Sequence, residues 1–280
     1  MKEVLKPKKR TRLRLFLGKS YYTLKRYVLW ISPKYKFAKK KLDKDLKYKC
    51  FEHKSVLLRK LRDVDMIYQY NKIINLKIAV SKLDRIVIRP GETFSYWKLI
   101  GKTTKRKGYV LGMQLFCGTY RRSVGGGLCQ LSNLIYWMTL HTPLTITERY
   151  RHSYDVFPDS NRTQPFGSGA TCVYPYRDLM ITNNTKNDYE LRVKVGVKYL
   201  EGAWYSDSKP LYNYEIIECD HEMKSENFGG FSRHNKLYRM VYNSRGRLVK
   251  KEYVTENHAL MMYSPFLPEN IENNHKKYDK

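Results

Sequence analysis

No stretch of about 18 uncharged apolar residues occurs in the chain, so no membrane-crossing helix is predicted. A secretion signal is not expected either, because the N-terminal region lacks a clean apolar run followed by a small-residue cleavage site. Residues 16–30 are apolar and aromatic, but Lys19, Lys25 and Arg26 interrupt them. Cysteine is scarce: Cys50, Cys117, Cys129, Cys172 and Cys219 are widely spaced and form no CxxC pair. Neither a disulfide framework nor a standard zinc finger is expected from that set, and a reducing compartment fits it. The basic, glycine-bounded residues 101–112 lack a Walker or Rossmann pattern, and no paired-carboxylate motif stands out. The sequence therefore calls for no nucleotide, metal or other cofactor.

Acidic residues are also few, 26 against 54 Lys and Arg, for a net charge of +28. The imbalance is concentrated at one end, where residues 1–50 hold 18 basic side chains and 3 acidic ones. Such a segment attracts polyanions within a Debye length of about 8–10 Å. An anionic membrane surface is one such partner, reached through an amphipathic segment around residues 11–31; a solvated basic extension is the plain alternative. Nucleic acid is not the expected partner, since no recognised motif accompanies the charge. The implied location is cytoplasmic, peripheral at the inner membrane face.

The pattern along the chain is α+β. Residues 1–54 read as a basic arm with short helical patches, 55–200 as a core domain and 201–280 as a β-rich extension. Val56, Leu57, Leu61, Val64, Ile67 and Tyr68 recur at helical spacing, which predicts a helix over residues 55–75 and a second over 71–80. A β-branched run over 85–88 closes at Pro90-Gly91. Residues 128–139 form an apolar helical face stopped by His141-Thr142-Pro143, and an edge-type strand follows over 144–149. Strands are predicted at 170–173, 179–182 and in alternating runs from 189 to 253, with Asn243-Ser244-Arg245-Gly246 as a hairpin turn.

The chemistry-bearing constellation begins at Gly125-Gly126-Gly127, which leads through Leu128 into Cys129, Gln130, Ser132 and Asn133. Three glycines admit left-handed or very close backbone. The start of the following helix places Cys129 where the dipole favours thiolate, with loop amides and Gln130 as candidate oxyanion donors. Arg149 and His152 follow after a strand, so that His152 could serve as base to a Cys129 nucleophile. Asp178 has the sequential position to orient His152, with Asp155 and Asp159 as alternatives. That order predicts a papain- or transglutaminase-like arrangement in which the Cys-bearing helix packs on an antiparallel sheet. Against it stands a structural use of the same residues: a small buried cysteine, a core histidine and tight-packing glycines. The aromatic set Phe94, Tyr96, Trp97, Tyr136 and Trp137 either lines a groove or packs the core.

Ordered blocks of residues resemble the VanW family, accessory proteins named from B-type vancomycin-resistance gene clusters. They are residues 65–69, 75–77, 88–97, 125–133, 141–146 and 149–152, then Phe157-Pro158, Gly169-Ala170-Thr171, Asp178-Leu179 and 183–185. The similarity covers roughly residues 60–200. It implies a role in glycopeptide resistance or cell-wall metabolism, with a wall precursor or peptide as ligand, and it supplies no mechanism. One departure is Gly169, where many relatives carry Asp; if that Asp orients the histidine, Asp178 must replace it here. Two functional classes follow: a cysteine-dependent hydrolase or acyltransferase built on Cys129, His152 and Asp178, or a non-catalytic module that binds a wall precursor or a partner protein.

Overall fold

The computed structural model describes residues 10–59, 64–158, 164–227 and 229–266. The chain is α+β and mostly strand. It opens with helix α1 (Arg12–Ile31), begun by the Thr11 hydroxyl, which accepts from the Arg14 amide. There follow β1 (Lys36–Phe37), β2 (Tyr48–Val56), α2 (Ile67–Leu83), β3 (Ile86–Ile88), β4 (Glu92–Ser95) and α3 (Tyr96–Ile100). The middle holds β5 (Leu111–Phe116), β6 (Thr119–Val124), α4 (Cys129–Leu140), β7 (Thr145–Glu148), β8 (Tyr154–Asp155) and β9 (Met180–Thr182). Long strands complete the chain: β10 (Tyr189–Val195), β11 (Tyr199–Ser206), β12 (Tyr212–Ser225), β13 (Phe231–Asn243) and β14 (Leu248–Met261).

Three four-stranded sheets result, in the orders β1-β4-β9-β7, β2-β11-β10-β3 and β12-β13-β14-β8, with β5-β6 as a separate hairpin. The second sheet carries α4, which lies across β2 and β11. Trp204 of β11 is fully buried under that helix and donates its indole N–H to Thr139 at 3.2 Å. One apolar core runs from Trp30 to Trp204 and takes in Leu76, Leu83, Ile88, Phe94, Leu131, Ile135 and Ile181. The third sheet is tied to the rest by the short parallel pairing of β8 with β14 and by Arg239, whose guanidinium donates to the Thr142 carbonyl at 2.9 Å.

Several expectations are corrected. Residues 55–75 are not one helix: Ser55 and Val56 end β2, paired with Leu200 and Tyr199, and helix begins only at Ile67. Leu61 lies outside the described residues. The second helix expected over 71–80 is continuous with that one as α2. Residues 170–173 form no strand; only an isolated bridge joins Val173 to Arg177. The short helical patches of the basic arm are, within residues 12–31, a single helix of 20 residues. The five aromatics Phe94, Tyr96, Trp97, Tyr136 and Trp137 are all buried in the core and line no groove.

Candidate functional site

Residues from distant parts of the chain converge on a cleft of about 550 Å³. The glycine run shapes one wall. Gly126 faces Gly112 so closely that a Cβ added to Gly126 would stand 2.2 Å from the Gly112 carbonyl carbon. Gly127 has φ +93° and lies against the stem of Lys72, which an added Cβ would meet at 2.3 Å. The run is thus explained by close packing, and the amides of Gly125 and Gly126 are occupied by the carbonyls of Val110 and Ser123.

Cys129, Gln130, Asn133, Arg149 and His152 all line this cleft, together with Gly127 and Gly169. Cys129 does stand at the first residue of α4. Burial nevertheless pushes its thiol above the ordinary value, opposed by the backbone amides of Cys172 and of Cys129 itself. Burial likewise lowers the His152 imidazole to about 4, with Arg149 and Arg177 acting in the same direction, so the ring is neutral near pH 7. Among the described residues no hydrogen bond joins the sulfur to that ring. The Asn133 side-chain oxygen accepts the Ala170 amide at 2.8 Å, and a side chain at Gly169 would run into it.

Asp178 is not brought to this group. Its carboxylate is fully buried and accepts from the amides of Trp97 and Leu179, each at 2.9 Å, and from the Ser95 hydroxyl; Arg26 stands 3.9 Å away. It holds the start of α3, and it does not line the cleft. Asp155 does line the cleft, but it pairs with Arg233 and accepts from Tyr263 at 2.8 Å. Asp159 lies outside the described residues. Ser132 turns its hydroxyl to the Ala170 carbonyl, and Trp97 donates its indole N–H to the Arg177 carbonyl; neither reaches the cleft, nor do Gly125 and Gly126.

Of a cationic wall, the sequence singled out only Arg149. Lys54, Arg59, Lys72 and Arg151 line the cleft with Arg149, against one lining acid among the described residues, the already paired Asp155. Lys72 and Arg149 matter most. Lys72 is buried, and its ammonium donates to the Gln69 side chain at 2.7 Å. Burial, reinforced by Arg59, lowers it to about 8. Arg149 commits three of its five N–H groups, to the Gly167 and Gly169 carbonyls and to Thr255, and lies 4.9 Å from the Tyr136 ring. Neither cation has a carboxylate partner among the described residues. The signal was available in α2, where polar Gln69, Lys72 and Asn75 recur at helical spacing on the buried face.

The family model described as "VanW like protein" matches residues 71–205. The chain is 34% identical over 231 residues to the vancomycin B-type resistance protein VanW of Enterococcus faecalis, covering 82% of this chain and 83% of that relative. It is 29% identical over 120 residues to the protein YoaR of Bacillus subtilis, covering 43% of this chain and 38% of that one. No solved structure matches the chain.

Proposed function

This chain belongs to the VanW family, and from that premise we propose that its cleft binds an anionic cell-wall precursor, a carboxylate- or phosphate-bearing molecule, in the service of glycopeptide resistance. The resistance assignment follows the name of the enterococcal relative. The ligand class follows from one observation: the buried Lys72 and the half-buried Arg149 line the cleft with no carboxylate partner among the described residues. Buried charges are ordinarily paired, because an uncompensated one costs several kcal/mol. A bound oxyanion supplies the missing partner.

Calorimetry with inorganic phosphate and with a short peptide bearing a free C-terminal carboxylate tests the proposal. One of the two is expected to bind, with affinity falling as pH rises past about 8, where Lys72 loses its proton. Lys72→Met is expected to weaken binding roughly tenfold or more, the loss of one charge-assisted contact. The unliganded variant should be at least as stable as the parent, since it no longer buries an unpaired charge. Failure of both probes to bind the parent, or equal binding by the variant, rejects the anion site.

A cysteine-dependent acyl transfer is the second reading, favoured by the presence of Cys129 and His152 on the walls of one cleft. A neutral imidazole can accept a thiol proton. The buried thiol, however, is expected to alkylate slowly with iodoacetamide near pH 7 and to speed up only in alkali. Rapid alkylation at neutral pH, abolished by Cys129→Ser, would put the enzyme reading first.

A further inference from the structure

Helix α1 makes its contacts with one side only. Arg26 and Trp30 are its buried residues: the guanidinium binds Glu148 and the Tyr176 carbonyl, and the indole N–H donates to Ser95 at 3.1 Å. Tyr27 adds a hydroxyl contact to Tyr174 at 2.8 Å. All of these lie in the C-terminal half of the helix. At 3.6 residues per turn, Leu13, Leu17, Leu24, Val28 and Ile31 fall within about 30° of one line on the side facing away from Arg26 and Trp30, and Phe16 lies at the edge of that stripe. Each of the six is more than half exposed, Ile31 at 82% and Leu13 at 68%. An apolar stripe of that length in water marks an interaction surface.

The charges beside the stripe select its occupant. Arg12 and Lys19 flank one edge, Arg14 and Lys25 the other, and the helix contains no acidic residue. A second copy of the chain would bring these basic rims against each other. No described helix is long and apolar enough to cross a membrane. We propose that α1 is an in-plane anchor on an anionic lipid surface, its stripe sunk at the headgroup boundary and its Arg and Lys stems reaching up to the phosphates.

Flotation of the full chain with phosphatidylglycerol-containing vesicles, against phosphatidylcholine alone, tests this. The parent is expected to float with the anionic vesicles. Phe16→Glu/Leu24→Glu should reduce partitioning roughly tenfold or more, because two apolar side chains then stay in water. Lys19→Glu/Lys25→Glu should weaken partitioning and flatten its dependence on salt. Both variants change exposed positions, so their denaturant midpoints should match the parent's, which separates lost binding from lost folding. A parent that stays with the lipid-free fraction overturns the proposal, as does flotation unchanged by Phe16→Glu/Leu24→Glu. A lipid-free dimer that this variant dissolves would assign the stripe to self-association instead.

Discussion

Replacing Asp178 by alanine is expected to destabilise the fold by about 3–5 kcal/mol, measured by denaturant unfolding, while leaving phosphate or peptide binding unchanged in the molecules that remain folded. The carboxylate is the shared acceptor for two backbone amides and the Ser95 hydroxyl, and it faces Arg26, which Glu148 also holds. Its removal takes the acceptor from the two amides and the Ser95 hydroxyl at a fully buried position, while Arg26 keeps Glu148. Asp178→Asn keeps an oxygen for the two amides and should cost far less. A group acting only to orient His152 would give the opposite result, lost activity at unchanged stability.

The same pair of proteins carries a pH signature. Burial is the largest influence on Asp178 and pushes it up to about 7, against the lowering effects of Ser95, the Trp97 amide and Arg26. The folded chain therefore holds this proton more tightly than the unfolded chain, whose carboxyl titrates near 3.8. Raising the pH from about 4 to about 7 thus lowers stability relative to Asp178→Asn, and the difference is constant above that window. Unfolding midpoints of both proteins across the interval give the comparison; parallel curves would contradict it.

Gly126→Ala is the second large effect, expected to cost about 3 kcal/mol or more in the same assay. The added methyl would stand 2.2 Å and 2.3 Å from the carbonyl carbon and oxygen of Gly112. Those atoms are backbone and cannot rotate away as a side chain can. Relief would have to move either the β5–β6 hairpin or the turn into α4. Moving the turn would break the bonds from Asn75 to the Gly126 carbonyl and from the Gly126 amide to Ser123, at 2.9 Å each. If the glycines served chiefly as oxyanion donors, alanine would instead spare stability and cut turnover.

Much of the local structure was legible because its causes are local. The apolar spacing after Gly127 and the stop at His141-Thr142-Pro143 mark out α4, which spans Cys129–Leu140. The β-branched run before Pro90-Gly91 gives β3, and Asn243-Ser244-Arg245-Gly246 gives the turn from β13 to β14, with Gly246 at φ +74°. Where partners are remote the pattern misleads. Ser55 and Val56 fit a helical stripe, yet their pairing with Leu200 and Tyr199 holds them in β2. Residues 170–173 have strand composition but acquire no neighbouring ladder.

The order of residues along the chain determined the family, the α+β class, the helix carrying Cys129 at its mouth and the basic, aromatic segment that became α1. Tertiary structure alone decided which charges meet. It turned Asp178 inward to Ser95 and Trp97, set Lys72 against Gly127, and brought Arg149 into the same cleft with no acid paired to either cation among the described residues. Helical and strand periodicity act over a few residues and so are written in sequence. Desolvation and ion pairing depend on distances between groups separated by tens of residues, and those exist only after the chain has packed.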